Sequence, residues 1–255
     1  MVAELFDLRG KVALVTGGSK GIGLGMARAL GKQGATVAIA SRGIADLGKA
    51  ETLLKDEEIH VKAFQVDVTK KSQVEKLVKD AVKEYGKIDI LVNNAGTNIR
   101  KKLIDIEEDD WDFIQSTNLK GIFLTGQAVA KQMINQGNGG KIINISSILG
   151  AIGMSNQTSY AASKGGINQL TKVWADELAE YNINVNALAP AYIRTPMTEE
   201  WLNDPERYAN IVSQTMVGRV GTLEDLVGPV VFLASEASSY ITGQILHVDG
   251  GWKAK

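Results

Sequence analysis

The feature that most limits how this chain can fold is an alternation of short β-branched runs with longer stretches of helical period. The runs Val12 to Thr16, Thr36 to Ala40, Val61 to Val66, Ile88 to Asn93, Lys141 to Ser146, Ile183 to Leu188 and Ile245 to Val248 read as strands. Between them, Gly21 to Gln33, Ser72 to Tyr85, Asp109 to Asn135, Thr158 to Tyr181 and Leu223 to Ser235 read as helices. Strands that alternate with helices of crossover length form parallel sheets covered on both faces. The expected fold is therefore α/β and doubly wound, with a mostly parallel seven-stranded sheet. No repeat, linker or low-complexity segment divides the chain, and 255 residues at 44% hydrophobic content suffice for one core, so 1–255 is expected to be a single domain. Pro190 and Pro196 bracket a loop, and Pro205 interrupts a polar, aromatic-bearing stretch up to Met216. The stretch 190–216 is expected to act as a substrate loop or lid.

Composition removes several classes of function. A net charge of −1 without long blocks of like charge gives no electrostatic basis for binding nucleic acid or an anionic membrane. With no cysteine there is no thiolate nucleophile or cysteine-held zinc, and with only His60 and His247 there is no imidazole-rich metal site, so no metal is expected. Neither histidine lies in a nucleophile motif, which removes a serine-hydrolase triad. His247 is expected in the core and His60 at a strand edge. The N-terminus carries Glu4, Asp7 and Arg9 rather than an apolar leader, and the expected location is cytoplasmic.

The first strand runs into Thr16-Gly17-Gly18-Ser19-Lys20-Gly21-Ile22-Gly23, and a helix follows. Glycines let the backbone turn sharply and approach a diphosphate, while free N–H groups and the helix dipole attract its charge. Taken alone, the turn fits a tight βα connection without ligand equally well. Its place on the first strand of an alternating α/β chain favours the ligand, because ligands of such sheets sit at the carboxyl ends of strands.

Tyr160 and Lys164 stand four apart in a helical stretch and so share one face. Bringing a phenol from a pKa of about 10 to near 7 requires roughly 4 kcal/mol of preferential stabilisation of the phenolate, which a neighbouring ammonium and the charge of a bound cofactor could supply together. Ser147 follows a strand and is expected at its carboxyl end, where it can orient a substrate oxygen; Ser146 competes for that role. A tyrosine and a lysine at this spacing are, by themselves, more often an ordinary helix-face contact.

Together these motifs resemble the short-chain dehydrogenase/reductase family. The resemblance rests on Gly17-x-x-x-Gly21-x-Gly23, Val66-Asp67-Val68, Asn93-Asn94-Ala95-Gly96, Asn118, Ser147, Tyr160-x-x-x-Lys164 and Pro190 to Thr195, in that order along essentially the whole chain. It implies a Rossmann fold and hydride transfer between a nicotinamide dinucleotide and a carbonyl or alcohol. The thirteen-residue interval from Ser147 to Tyr160 matches the family and selects Ser147 over Ser146. The catalytic set so implied is Asn118, Ser147, Tyr160 and Lys164, with Lys164 also bonding the nicotinamide ribose and Asn118 holding a water that connects Lys164 to solvent.

The cofactor residues implied by the resemblance are Gly17, Ser19, Lys20, Gly21, Ile22 and Gly23 at the turn, Asp67 and Val68 at the adenine, and Asn94, Ala95 and Gly96 after the fourth strand. Tyr160 and Lys164 again, and Pro190, Ile193 and Thr195 at the nicotinamide amide, complete the set. After the second strand stand Ser41 and Arg42 and no acid, with Lys20 inside the glycine turn; the family pattern then implies NADP, with NAD possible.

The stretches Gln136 to Asn144, Gly228 to Ser235 and Val248 to Trp252 resemble sugar-acid members, such as gluconate 5-dehydrogenases and 2-dehydro-3-deoxygluconate 5-dehydrogenases. In that subgroup Arg100 resembles a basic residue that pairs with the substrate carboxylate, so Arg100, Ser147 and Tyr160 form the expected substrate set. The bland reading of Arg100 is a solvated cation beside Lys101 and Lys102. The rival activities are a 3-oxoacyl-acyl-carrier-protein reductase and a broad ketone reductase; Trp201, Tyr208 and Met216 of the expected lid fit either the lining of an apolar pocket or packing against a neighbouring subunit. A non-catalytic dinucleotide sensor would lack Tyr160 or Lys164, and both are present. The resemblance also implies a homotetramer, with Phe123 and Trp174 as candidate interface or core residues.

Overall fold

In the computed structural model, which describes residues 2–255, seven strands pair in one sheet. They are β1 (Val12–Thr16), β2 (Thr36–Ser41), β3 (Val61–Gln65), β4 (Ile90–Asn93), β5 (Gly140–Ile145), β6 (Ile183–Pro190) and β7 (Ile245–Val248), in the spatial order β3-β2-β1-β4-β5-β6-β7. Every neighbouring pair is parallel, so the sheet expected to be mostly parallel is wholly so. The helices are α1 (Val2–Leu5), α2 (Gly21–Lys32), α3 (Ile44–Asp56), α4 (Lys71–Tyr85), α5 (Glu108–Ile114), α6 (Gly121–Gln136), α7 (Thr158–Leu178), α8 (Glu199–Leu202), α9 (Pro205–Gln214) and α10 (Val227–Ala234).

Two apolar layers flank the sheet. In β1, Ala13 and Val15 join Met26 and Leu30 of α2, Leu47 and Leu54 of α3 and Val230 of α10. Leu14, between them, joins Val74 and Leu77 of α4, Leu124 and Met133 of α6 and Ala175 of α7. Successive strand residues face opposite sides, so a strand buried on both faces must be apolar throughout, as β1 is up to its last residue. Strand order reverses at β1, which has β2 on one side and β4 on the other. A reversal of this kind opens a crevice at the carboxyl ends of the two central strands.

Four expectations change. The helix foreseen over 109–135 is α5, a π-helical turn Gln115–Lys120, and α6. Behind the turn the backbone lies so close to Val68 that a Cβ at Gly121 would come within 2.7 Å of its side chain. Pro205 interrupts its segment between two helices rather than within a loop: α8 ends at Leu202 and Pro205 starts α9, where the missing N–H costs nothing and Asp204 accepts hydrogen bonds from the N–H groups of Glu206 (3.0 Å) and Arg207 (2.9 Å). His247 is half-buried on the edge strand β7 rather than in the core, while His60 is exposed beside the other edge strand, β3. The segment expected as one helix over 223–235 is a 3-10 turn, Glu224–Leu226, followed by α10. No helix among the described residues is long and apolar enough to cross a membrane.

Candidate active site

Residues at or just after the carboxyl ends of β1 to β6 converge on one cleft of about 690 Å³. The glycine turn forms its floor. Gly17 has φ +64°, and a Cβ there would meet the Asn94 amide nitrogen at 2.7 Å; a Cβ on Gly23 would stand 2.2 Å from the Gly17 carbonyl oxygen. The two close approaches explain why glycine is required at both positions. Asn94 Nδ2 donates to the carbonyls of Thr16 (3.0 Å) and Gly17 (3.3 Å), and Thr16 Oγ1 accepts from the N–H groups of Asn94 (3.0 Å) and Ala95 (3.2 Å). Thr16, which sequence reasoning passed over, thus ties the turn to β4. Its signal was its position as the last residue of the first strand. No side chain caps the N-terminus of α2 at Lys20, so the N–H groups of its first turn remain available at the cleft.

At one end of the cleft Ser41, Arg42 and Lys20 come together, as the sequence predicts. Ser41 Oγ is buried without a hydrogen-bond partner. Buried hydroxyls are normally satisfied, so this atom, beside two cations, fits a phosphate or hydroxyl ligand. Lys20 Nζ lies 3.8 Å from the Asp46 carboxylate, an acid of α3 that also lines the cleft and that sequence reasoning missed. Burial pushes the Asp67 carboxyl up, but hydrogen bonds from the Thr69 N–H and hydroxyl, with the charges of Arg42 and Lys70, bring it below its ordinary value. Its Oδ1 accepts both Thr69 bonds (3.0 and 2.8 Å).

At the other end stand Ser147, Tyr160 and Lys164. Ser146 also lines the wall, but its hydroxyl donates to the Lys164 carbonyl (3.2 Å), whereas the Ser147 side chain acts on the Tyr160 phenol and lowers its pKa. Ser147 Oγ also accepts from the Leu149 N–H (3.2 Å), which fixes its rotamer. Lys164 Nζ donates to the Ile145 carbonyl (2.8 Å) and sits 5.4 Å from the centre of the Tyr160 ring. Burial lowers the pKa of Lys164 to about 8. The protein's own groups do not by themselves supply the expected depression of Tyr160. Burial pushes its phenol up to about 12, outweighing the Ser147 hydrogen bond and the positive charge of Arg100, which both pull it down. The protein's own groups keep Tyr160 protonated.

Three expected site residues stand elsewhere than on the cleft wall. Asn118 is wholly buried in the π-helical turn, where Oδ1 accepts from the Thr97 N–H (2.8 Å) and Nδ2 donates to the Thr97 carbonyl (2.9 Å) and to Ser163 Oγ (3.2 Å). It pins Thr97, itself a cleft residue that the sequence did not single out. The Ile193 side chain is 2% exposed and packs in the core, so it does not face the cleft. The loop's cleft residues are Pro190, Ala191, Thr195, Pro196 and Met197.

Arg100 is the third, and it is not a solvated cation. Its guanidinium lies 4.3 Å from the Trp201 ring centre and 6.0 Å from that of Tyr192, and its Nε is buried without a partner. Lys101, by contrast, pairs with Asp110 at 2.5 Å, and Lys102 is exposed. Trp201 and Tyr208 pack with Tyr192, Leu202, Ile211 and Trp252 in a small cluster of their own, while Met216 is 58% exposed and off the cleft. Trp174 is half-buried and packs against the core, where a Cβ on Gly126 would stand 2.5 Å from its ring; Phe123 is exposed.

A family model described as enoyl-(acyl carrier protein) reductase matches residues 17–253. The chain is 43% identical over 257 residues to the 2-dehydro-3-deoxy-D-gluconate 5-dehydrogenase of Escherichia coli (strain K12), covering all of both chains. It is also 43% identical over 249 residues to a 3-oxoacyl-[acyl-carrier-protein] reductase of Thermotoga maritima, covering 96% of this chain and 98% of that one. Among solved structures, a gluconate 5-dehydrogenase from Burkholderia cenocepacia J2315, described as in complex with NADP and tartrate, is similar at a TM-score of 0.96 and 37% identity over the full length of both chains.

Proposed function

We propose that this chain, which belongs to the short-chain dehydrogenase/reductase family, is an NADP-dependent enzyme that interconverts a carbonyl and a secondary alcohol on a sugar acid such as 5-ketogluconate and gluconate. The observation that carries the substrate class is Arg100: a half-buried guanidinium with an unpartnered Nε, close enough for its charge to act on Tyr160. A buried cation of this kind is stabilised by an anionic ligand, and a carboxylate matches its planar fork.

The cleft fits a nicotinamide dinucleotide. The uncapped start of α2 and the glycine turn would hold the diphosphate, Asp67 the adenine, Ser41, Arg42 and Lys20 a 2′-phosphate, and Lys164 the ribose nearest the reaction. The bound nicotinamide supplies the hydride in reduction and accepts it in oxidation. In reduction Tyr160 gives its hydroxyl proton to the carbonyl oxygen, Ser147 donates a hydrogen bond to the same oxygen, and the Lys164 ammonium stabilises the negative charge left on Tyr160. Oxidation reverses each proton movement. A water connecting Lys164 to solvent would rest on the backbone of Asn118, because the side chain is engaged by Thr97 and Ser163.

NADPH consumption measured with 5-ketogluconate, a 3-oxoacyl thioester and an uncharged ketone tests this reading. The sugar acid should give the highest kcat/KM, and Arg100→Met should lower it about 10- to 100-fold for the acid alone, the scale of one charged hydrogen bond. Highest activity on the thioester would move the assignment to an acyl reductase, which the 43% identity to the Thermotoga maritima relative favours. Cofactor binding without turnover on any of the three would make the protein a sensor. Arg42→Asp is expected to lower the preference for NADP over NAD at least tenfold in kcat/KM, and an unchanged ratio refutes the 2′-phosphate assignment. We also propose a homotetramer with Phe123, 39% exposed, at an interface; a monomeric mass in solution would reject it.

A further inference from the structure

We propose that Trp201 is a positioning residue: its indole fixes the plane of the Arg100 guanidinium so that the edge of the fork meets the substrate carboxylate. This rests on the sugar-acid reading of Arg100.

Segment 190–216 delivers Trp201 to the site on α8, 101 positions away from Arg100 in sequence. Two guanidiniums lie over the same ring, Arg100 at 4.3 Å and Arg207 at 4.1 Å from its centre. Arg207 is held in turn: it belongs to the first turn of α9, its own N–H is accepted by the Asp204 cap at 2.9 Å, and its Nε lies 3.7 Å from Asp204 Oδ2. On its other edge Trp201 packs into the cluster of Tyr192, Leu202, Ile211 and Val220. The indole is therefore constrained by the α8–α9 segment, not by Arg100 alone.

Stacking suits such a role because it restrains the guanidinium plane through the ring face and leaves the in-plane N–H donors free. Arg100 Nε shows that freedom, since it is buried and bonded to nothing. An acidic partner would also have fixed Arg100, but it would have occupied the donors and neutralised the charge that a carboxylate is to meet. Among the described residues no acid forms an ion pair with Arg100, although Lys101 beside it does pair, with Asp110. Tyr192, its ring centre 6.0 Å from the guanidinium, completes an aromatic seat.

The test compares Trp201→Leu, which keeps apolar bulk and removes the ring face, with Trp201→Phe, which keeps a ring. Both are assayed with 5-ketogluconate and with an uncharged polyhydroxy ketone, and NADPH affinity is followed by fluorescence. Trp201→Leu should raise KM for the acid about tenfold, leave kcat within about twofold, and change neither KM for the uncharged ketone nor NADPH affinity; Trp201→Phe should recover most of the loss. In an Arg100→Met background Trp201→Leu should add nothing. Equal increases in KM for both substrates, or losses that multiply in the double variant, overturn the positioning role and leave Trp201 as packing. If Arg100→Met itself leaves KM for the acid unchanged, the sugar-acid reading falls and this proposal with it. If Arg100→Met raises KM and Trp201→Leu does not, only the role of Trp201 falls.

Discussion

Tyr160→Phe is expected to lower kcat for carbonyl reduction by about a thousandfold while NADPH affinity stays within about twofold of wild type, within the range seen for removal of a positioned general acid. The protein's own surroundings favour the protonated phenol, since burial pushes its pKa up to about 12. The neighbouring hydroxyl of Ser147 cannot replace it, since it is fixed by the Leu149 N–H and has no base beside it to restore a proton. Removing one oxygen leaves the aromatic ring beside Lys164 and the cleft wall otherwise unchanged, so the loss should fall on kcat and not on cofactor affinity. Stopped-flow NADPH oxidation and a fluorescence titration measure the two quantities separately. A loss below tenfold would mean that the proton reaches the carbonyl from another group.

How much of this was legible in the sequence follows from the range over which each signal acts. The sheet could be read because β1 states its own burial: Ala13, Leu14 and Val15 feed alternate layers, and each must be apolar. Gly17 and Gly23 could be read for a related reason, since a backbone contact of 2.2 Å to an added Cβ tolerates no other residue and leaves a local pattern. The position of Ser41 and Arg42 at the carboxyl end of β2 could be read because the neighbouring strands fix its direction.

What escaped depends on contacts distant in sequence. The Asn118 side chain is taken up by Thr97, 21 residues earlier, through a π-helical turn with the same composition as an α-helix. The stack of Trp201 on Arg100 leaves no mark in either local pattern. The rise in the pKa of Tyr160 escaped for a different reason. Helical spacing gave the proximity of Lys164, but the balance between burial and charge depends on everything packed around the phenol, and burial prevails.

Lys164→Met is expected to give a protein that is both less active, by at least a hundredfold in kcat/KM, and more stable at neutral pH. Lys164 is 4% exposed, no acid forms an ion pair with it among the described residues, and burial lowers its pKa from 10.5 to about 8. Below pH 8 the lysine is charged in both folded and unfolded chains, and burying that charge costs about 3 kcal/mol, the free-energy equivalent of the lowered proton affinity. Between pH 8 and 10.5 the folded chain gives up the proton first, so the unfolded chain binds more protons and stability rises with pH until the penalty is gone. Methionine fills a similar volume without charge and loses the hydrogen bond to the Ile145 carbonyl, worth about 1 kcal/mol, and a distant contact of the ammonium with the Tyr160 ring. The net gain of about 2 kcal/mol should raise Tm at pH 7 by roughly 5 °C and shrink as pH approaches 10. The same titration predicts that wild-type kcat/KM for reduction falls as pH rises through about 8, because the ammonium beside Tyr160 is then lost. A variant less stable than wild type at pH 7 would show that the bond to Ile145 outweighs the buried charge. A stabilised but inactive variant would show that the chain retains an unpaired buried charge at a measurable cost in stability because the chemistry at Tyr160 requires it.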